Sequence, residues 1–568
     1  MDASCGHCGH VQGDRGQGVS PPLLNGYGGE WAVKDGAMPI FLRDWSFELA
    51  RTSSNHVQYV GHPNKGIPLT DQTFQLIAIV LYLSGMVAIG YFAFRQTKDL
   101  DDYMLAGRGL KPGTAALSAG ASDMSGWLLL GLPGAIYVSG LVEAWIAIGL
   151  TIGAWLNWKF VAPRLRSYTF VSKNSITIPS FFENRLKDTS RLLRVVSGVI
   201  ILVFFTFYVS SGMVAGGVFF EESFGSTFVT GMLIVGGVTL LYTLFGGFLG
   251  ATLTDVAQGL LMLAALIAVP LVALNATGGV VATLDSIREV NPDLLSLTAG
   301  GSVLGVISAA AWGLGYVGQP HIIVRFMAMR TPQDAKAGRR IGIGWMILTA
   351  LGAIATALIG IAYFQQNPDL DLANPETVFL ILSQTLFHPF IAGLVLAAVL
   401  AAIMSTISSQ LIVSSSALVE DLYKIVGKDA APKQLVMLGR IGVLVVAVIA
   451  ALIALQQNST ILDLVGFAWA GFGAAFGPVV ILSLYWKKLS TWGTLASMVT
   501  GAVVVFVWGN SALGDTLYEI VPGFAASMIV AVVVSLATYK PNAEIDAEFE
   551  LAAEQAHPKY QAPKKVSV

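Results

Sequence analysis

An all-α integral membrane protein of about thirteen transmembrane helices, amino terminus out and carboxyl terminus in, is predicted by three features of this 568-residue chain. Charged residues make up 12% and hydrophobic residues 54%, against roughly 25% charged in soluble domains. Thirteen apolar runs approach the ~20 residues needed to cross a hydrocarbon core. Lys and Arg gather in alternate connections between those runs, and that asymmetry sets orientation. The net charge of -2 carries little meaning, because the position of the basic residues matters rather than their balance against acids.

The runs lie near 74–94, 114–138, 141–161, 195–220, 227–249, 255–275, 302–324, 341–364, 389–416, 434–456, 460–485, 491–511 and 518–538. With the amino end outside, 27 of the 33 basic residues fall in inner loops or the carboxyl tail, and Arg288 alone lies in an outer loop between spans. The other five (Arg15, Lys34, Arg43, Arg51, Lys65) precede the first span. The dense basic stretch 159–194 reads as an inner loop and orientation signal rather than a nucleic-acid patch, because spans flank it on both sides. Loop 246–254 is placed inside by its neighbours, having no basic residue of its own.

Residues 1–70 are polar, glycine-rich and without the 7–15-residue apolar stretch of a signal peptide. They read as a disordered extension ahead of a transmembrane domain at 71–539. Cys5-Gly-His-Cys8-Gly-His10 offers thiols and imidazoles, but only as a single half-knuckle. These are the only cysteines, so the spans have no disulfide framework. The cytoplasmic tail 540–568 is too small to bury a core of its own. No Walker-type phosphate loop and no nucleophile–base pair stands out, so a gradient-driven carrier is expected rather than an ATP-driven pump or an enzyme.

Asp123 stands inside the run 114–138. A carboxylate at the centre of a spanning helix costs at least about 2.5–3.5 kcal/mol and is expected to face a cavity, an ion or a partner. Gly120 and Gly126 are expected to let the helix break beside it. A second candidate break is 302–329, where Gly313, Gly315, Gly318 and Pro320 crowd together. Glycines in spans also serve close helix packing, and either segment alone could be read that way. The two lie five spans apart, as an inverted five-plus-five repeat over about 114–275 and 302–485 requires.

In the ninth span, Ser405 and Thr406 follow Ala402 by one turn. Hydroxyls in an apolar helix can simply bond their own backbone. Neutral oxygens are also what a hard monovalent cation needs, and these two could face carbonyls released by the broken second span. Without thiolate or imidazole, the site is unsuited to a transition metal.

Taken in order, Gly107-Arg108, Ser118-Ala-Gly-Ala-Ser-Asp-Met-Ser-Gly126-Trp-Leu-Leu, Trp312-Gly-Leu-Gly-Tyr316-Val-Gly-Gln-Pro320-His, Met404-Ser-Thr406 and Trp469-Ala-Gly-Phe-Gly-Ala-Ala-Phe-Gly-Pro478 resemble the sodium/solute symporter family, most closely its proline-carrying branch. The likeness spans about 74–538. It implies a LeuT-like core with broken second and seventh helices, one span before the core and two after it. It also implies sodium between the second and ninth spans, on the carbonyls of Ala121, Met124 and Ala402 and the hydroxyls of Ser405 and Thr406.

The same resemblance implies that L-proline is bound by Ser125, Gly126, Tyr208, Trp312, Tyr316 and Pro320. Exposed amides at a broken helix suit its carboxylate, and aromatic faces suit its secondary ammonium. Trp312 and Tyr316, four apart, share a helical face. Asp123 is expected to organise the site rather than ligate sodium. Asp255 is expected to assist inward release, with solvation of a helix end as the alternative, and Arg108 either pairs with an inner gate or marks orientation. The expected partners are sodium, proline and membrane lipid in the inner (plasma) membrane, with no cofactor, nucleic acid or obligate protein partner. Pantothenate or a carboxylate as solute, proton coupling through Asp123, and a sensor role stay open as alternatives.

Overall fold

The computed structural model describes residues 69–95, 104–370, 372–423, 432–456 and 460–560. Cys5, Cys8 and His10, with nearly all of the 1–70 extension, lie outside the described residues. Among the described residues the regular elements are helices, and ten of these are long and apolar enough to cross a membrane. The protein is a multi-pass membrane protein.

Helix α1 (Leu69–Phe94) precedes a broken span made of α2 (Pro112–Asp123), a π turn (Trp127–Gly131) and α3 (Leu132–Ser139). Helix α4 (Ala144–Leu156) runs through a second π turn (Asn157–Val161) into α5 (Ala162–Val171), and a short α6 (Ile178–Leu186) follows. Next come α7 (Leu192–Phe224), α8 (Phe228–Ala276) and α9 (Val280–Val290). The second broken span comprises α10 (Val303–Ala310), a helical turn (Trp312–Gly315), a 3-10 turn (Tyr316–Gly318) and α11 (Pro320–Met327). Helices α12 (Ala335–Gln366), α13 (Val378–Leu386), α14 (Pro389–Ser416), α15 (Pro432–Ala454), α16 (Ile461–Tyr485), α17 (Thr491–Gly509), α18 (Ile520–Thr538) and α19 (Ala543–Gln555) complete the chain. Proline heads α2, α11 and α14, where the missing N–H costs nothing.

Burial sorts these helices. From Val395 to Ser416, α14 is buried on every face, and Ser405, Thr406, Ser408, Ser409 and Ser416 bond inside the protein. By contrast, α15 exposes Met437, Ile441, Leu444, Val448 and Leu452, and α18 exposes Ile529, Val533 and Leu536. Such apolar rows suit lipid rather than water.

The expected inner loop 246–254 does not form. Helix α8 is one element of 49 residues, which would be about 73 Å long if straight and so more than twice the thickness of a hydrocarbon core. It bends at Gly247, whose φ of 56° and ψ of -157° suit glycine alone. Tyr242 and Gly246 lie against Gly90 of α1 and Gly250 against Ala93, whereas Gln258 has returned to donate to the Tyr82 hydroxyl at 2.8 Å. One glycine therefore reverses the chain where the sequence suggests a nine-residue loop.

The basic stretch 159–194 is likewise mostly helical. Arg166 Nε donates to the Met329 carbonyl at 2.5 Å and Arg185 Nε to that of Ser483 at 3.3 Å, so both satisfy carbonyls at or just beyond helix C-termini. The carboxyl tail borrows a core instead of making one. Phe549 of α19 packs beside Tyr168 with Arg164, Arg185 and Lys487 over its ring, while Lys187 pairs with Glu544 at 2.8 Å and Glu548 at 2.5 Å.

Glycines of the second broken span serve packing as well as bending. A Cβ on Gly313 would collide with the Gly149 carbonyl of α4, and one on Gly315 with the Trp469 indole. Gly313→Ala is expected to destabilise the protein by about 1–3 kcal/mol, because backbone cannot yield as a side chain can. Thermal unfolding in detergent measures this, and an unchanged midpoint would refute the close approach.

Candidate ion and substrate site

The first break follows from three misplaced amides. In a continuous helix the N–H groups of residues 125, 126 and 127 would return to the carbonyls of 121, 122 and 123. Met124 leaves the helix at ψ 76°, Ser125 N–H bonds the Asp123 carbonyl at 3.0 Å, and Trp127 N–H reaches the Ser125 hydroxyl at 3.4 Å. The carbonyls of Ala121 and Ser122 are thereby freed in a dry interior, where unpaired groups cost several kcal/mol.

Helix α14 supplies their partners. The Ser405 hydroxyl donates to the Ala121 carbonyl at 2.7 Å and lies 3.0 Å from that of Ala402. The Thr406 hydroxyl donates to the Ser122 carbonyl at 3.0 Å and lies 3.2 Å from that of Ala402. Four of the five expected sodium ligands, Ala121, Ala402, Ser405 and Thr406, thus come together. Ser122 joins them unforeseen, because which carbonyls a break frees depends on its exact residue. Met124 lies at the turn itself, its amide bonded to the Gly120 carbonyl, and no hydrogen bond links it to the Ser405–Thr406 pair.

The expected role of Gly120 and Gly126 in the break is corrected. Gly120 is mid-helix and faces Trp345, while Gly126 is helical and lies against Ala215 and Ile403. Both permit close packing, and the break falls at Met124 and Ser125.

The second break is built in the same way. Pro320 has no N–H to give the Tyr316 carbonyl, and Asn157, presented by the π turn of the third span, donates there instead at 3.1 Å. Gln319 Nε2 donates to the Gly315 carbonyl at 3.2 Å and the Trp469 carbonyl at 3.0 Å. Trp312 and Tyr316 share a neighbour in Trp469, at ring separations of 6.2 and 6.1 Å, and Trp127 approaches Trp312 at 6.1 Å. The expected common face is therefore present. Pro320 departs from this group and lines a separate cavity beneath it.

Asp123 is fully buried, and neither carboxylate oxygen has a partner at strict hydrogen-bond geometry, the Tyr316 hydroxyl being the side chain that approaches it as a looser donor. Tyr208 and Tyr316 lie within its electrostatic reach. The Tyr208 hydroxyl likewise has no partner at that geometry, nor does either nitrogen of His321, whose ring lies 5.8 Å from that of Tyr208. Buried polar groups are nearly always paired, so this concentration marks a place where a polar ligand fits. His321 and Trp469 both stood in quoted motifs without an assigned role.

Asp255 is not a solvated helix end. It is fully buried, accepting from the Ser118 hydroxyl at 2.6 Å and from Arg325 Nη2 at 3.1 Å. Arg325 also donates to the Ser118 and Ser409 hydroxyls, at 3.1 and 2.5 Å, and to the His321 carbonyl. One guanidinium thus ties α2, α8, α11 and α14 together. Arg325 is one of the 27 basic residues on the inner side, yet its burial against Asp255 makes it a counter-ion rather than an orientation signal alone.

Arg108 donates to Asn174 at 2.9 Å, to Thr169 at 3.2 Å, and to the carbonyls of Met327 and Ser175 at 2.7 and 2.6 Å. Beside it, Leu110 and Met329 form an isolated parallel bridge. Arg108 therefore joins the connection before α2 to the end of α11.

A model of the Sodium:solute symporter family matches residues 103–501. The High-affinity proline transporter PutP of Bacillus subtilis (strain 168) is 57% identical over 465 residues, 82% of this chain and 98% of that one. The Osmoregulated proline transporter OpuE of the same strain is 53% identical over 469 residues, 82% and 95% respectively. Sodium/proline symporter 2 of Staphylococcus saprophyticus is 50% identical over 480 residues, 82% and 93% respectively. A Na+-coupled sialic acid symporter, solved in a substrate-bound outward-open state, has the same fold at a TM-score of 0.71 and 18% identity, over 83% of this chain and 99% of its own. Motifs, fold and relatives agree, and the chain belongs to the sodium:solute symporter family.

Proposed function

We propose that this protein imports L-proline together with sodium by alternating access. The observation that carries this reading is the pair of hydroxyl bridges from Ser405 and Thr406 to the carbonyls freed at the α2 break, beside the buried Asp123 carboxylate. Sodium would sit among the oxygens of Ala121, Met124, Ala402, Ser405 and Thr406, taking the carbonyl lone pairs that now accept from the two hydroxyls, while the hydroxyl oxygens turn their own lone pairs to the ion. Proline would lie against Ser125, Gly126, Tyr208, Trp312 and Tyr316, with Pro320 shaping the lower half of the broken helix. The names of the relatives at 50–57% identity support the choice of solute.

The reading includes thirteen spans in the inner membrane, amino end out. Counting α8 as two arms and each broken helix as one crossing adds three to the ten long helices. Two broken helices five crossings apart support the inverted repeats at about 114–275 and 302–485, within a transport domain at 71–539 that leaves 1–70 outside and 540–568 inside the cell. Asp123, Asp255 and Arg108 act as supports. One inward sodium charge gains about 2.3 kcal/mol per 100 mV, so a single ion suffices to accumulate solute.

Proteoliposomes loaded with potassium and diluted into sodium test this. Labelled proline is expected to accumulate, and excess unlabelled proline to compete where pantothenate and simple carboxylates do not. Uptake indifferent to the sodium gradient at fixed pH would overturn the coupling.

A further inference from the structure

The cavity beneath Pro320 is not used by the function proposed above. From Ser405, the buried face of α14 continues one turn to Ser409 and two more to Ser416, then enters a π turn, Ala417–Tyr423. Hydrogen bonds in a π turn reach five residues, which sets Asp421 beneath Ser416. Both line the cavity, with Thr177 opposite and Pro320, Val324 and Phe248 around them.

Asp421 is fully buried. Its Oδ1 accepts from the Thr177 hydroxyl at 2.7 Å and lies 3.8 Å from Arg194 Nε, which is already paired with Glu183. Its Oδ2 has no hydrogen-bond partner among the described residues. An unmatched, buried carboxylate oxygen calls for a partner from the cavity, a cation or a water. Space open to the centre of a water amounts to about 20 Å³, enough for one water or one small ion and too little for a proline ring.

We infer that Asp421, with the hydroxyl oxygens of Ser416 and Thr177, forms an inner site for a hard monovalent cation, where the coupling sodium pauses after leaving Ser405 and Thr406. This rests on the proposed sodium coupling. The donor set contains only oxygen, as sodium requires, and its one full charge favours a cation over a neutral solute. Along α14 the oxygens change from the neutral pair Ser405–Thr406, past Ser409 which accepts from Arg325, to a carboxylate at Asp421, so the full negative charge lies at the inner end.

The site is tested by its sidedness. In proteoliposomes, sodium outside activates proline uptake and sodium inside opposes it. Asp421→Asn is expected to raise the internal sodium concentration for half-inhibition about tenfold, the scale of one lost charged ligand, and to leave external half-activation within about twofold. Asp421→Glu is expected to restore part of the internal effect. Should the Asn variant not fold, Ser416→Ala keeps the carboxylate and is expected to shift the internal constant about threefold. Internal and external constants moving in proportion, or neither moving in any folded variant, would overturn the site. A parent protein showing no activation by external sodium would instead overturn the coupling beneath it.

Discussion

Arg325→Met is expected to destabilise the protein by about 3–5 kcal/mol and to abolish transport, because removing one member of a buried ion pair strands the other's charge. Asp255 would remain at the meeting point of four helices with only Ser118 to bond it. Asp255→Asn is expected to cost about as much for the converse reason. The double variant Asp255→Asn with Arg325→Met should be milder than either single change, since replacing a whole buried pair by neutral groups is often close to neutral. Thermal unfolding in detergent, run as a double-mutant cycle, separates these cases. Additive losses, or an Arg325→Met protein as stable as the parent, would show that the pair is not coupled.

Asp123→Asn is expected to weaken sodium activation of uptake about a hundredfold. The proposed ligands are all neutral, so the only full charge favouring the ion there is the Asp123 carboxylate. A full charge within about 4–6 Å of an ion, at an effective dielectric constant near 20, contributes about 3–4 kcal/mol. Ser405→Ala removes one neutral ligand and uncaps the Ala121 carbonyl, and about tenfold is expected. The sodium concentration for half-maximal proline uptake measures both. An unshifted sodium curve for Asp123→Asn would remove Asp123 from the ion site, and parent uptake set by pH instead of sodium, with that pH dependence lost in Asp123→Asn, would favour proton coupling.

Much of this site is legible in the sequence because the bilayer makes polarity expensive. A carboxylate at 123 and adjacent hydroxyls at 405 and 406 stand out against apolar surroundings, and the distance between the two glycine-rich segments suggests a repeat. Arg325 shows the limit of that reasoning. Placed near a span end, it looks like any orientation signal, and only the convergence of Ser118, Asp255 and Ser409, from segments far apart in the chain, makes it a counter-ion. His321 and Trp469 were hidden for the same reason.

The α8 hairpin fails differently. Apolar periodicity continues through Gly247, so nothing local distinguishes a loop from a one-residue reversal, and the contacts with α1 decide between them. Gly120 and Gly126 mislead in the opposite direction, since a glycine that permits packing and one that permits a break look alike in sequence.

The sequence by itself determined the membrane setting and the helical class and pointed to the residue types of the proposed ion site, because those depend on transfer free energies and on ligand chemistry that each residue carries alone. Tertiary structure decided where α2 breaks, which carbonyls are released, which hydroxyls meet them and how Asp255 is neutralised. Those outcomes depend on the partner across the gap. A buried polar group takes whichever complementary atom the packing of other helices brings within about 3 Å, and no local pattern encodes that distance.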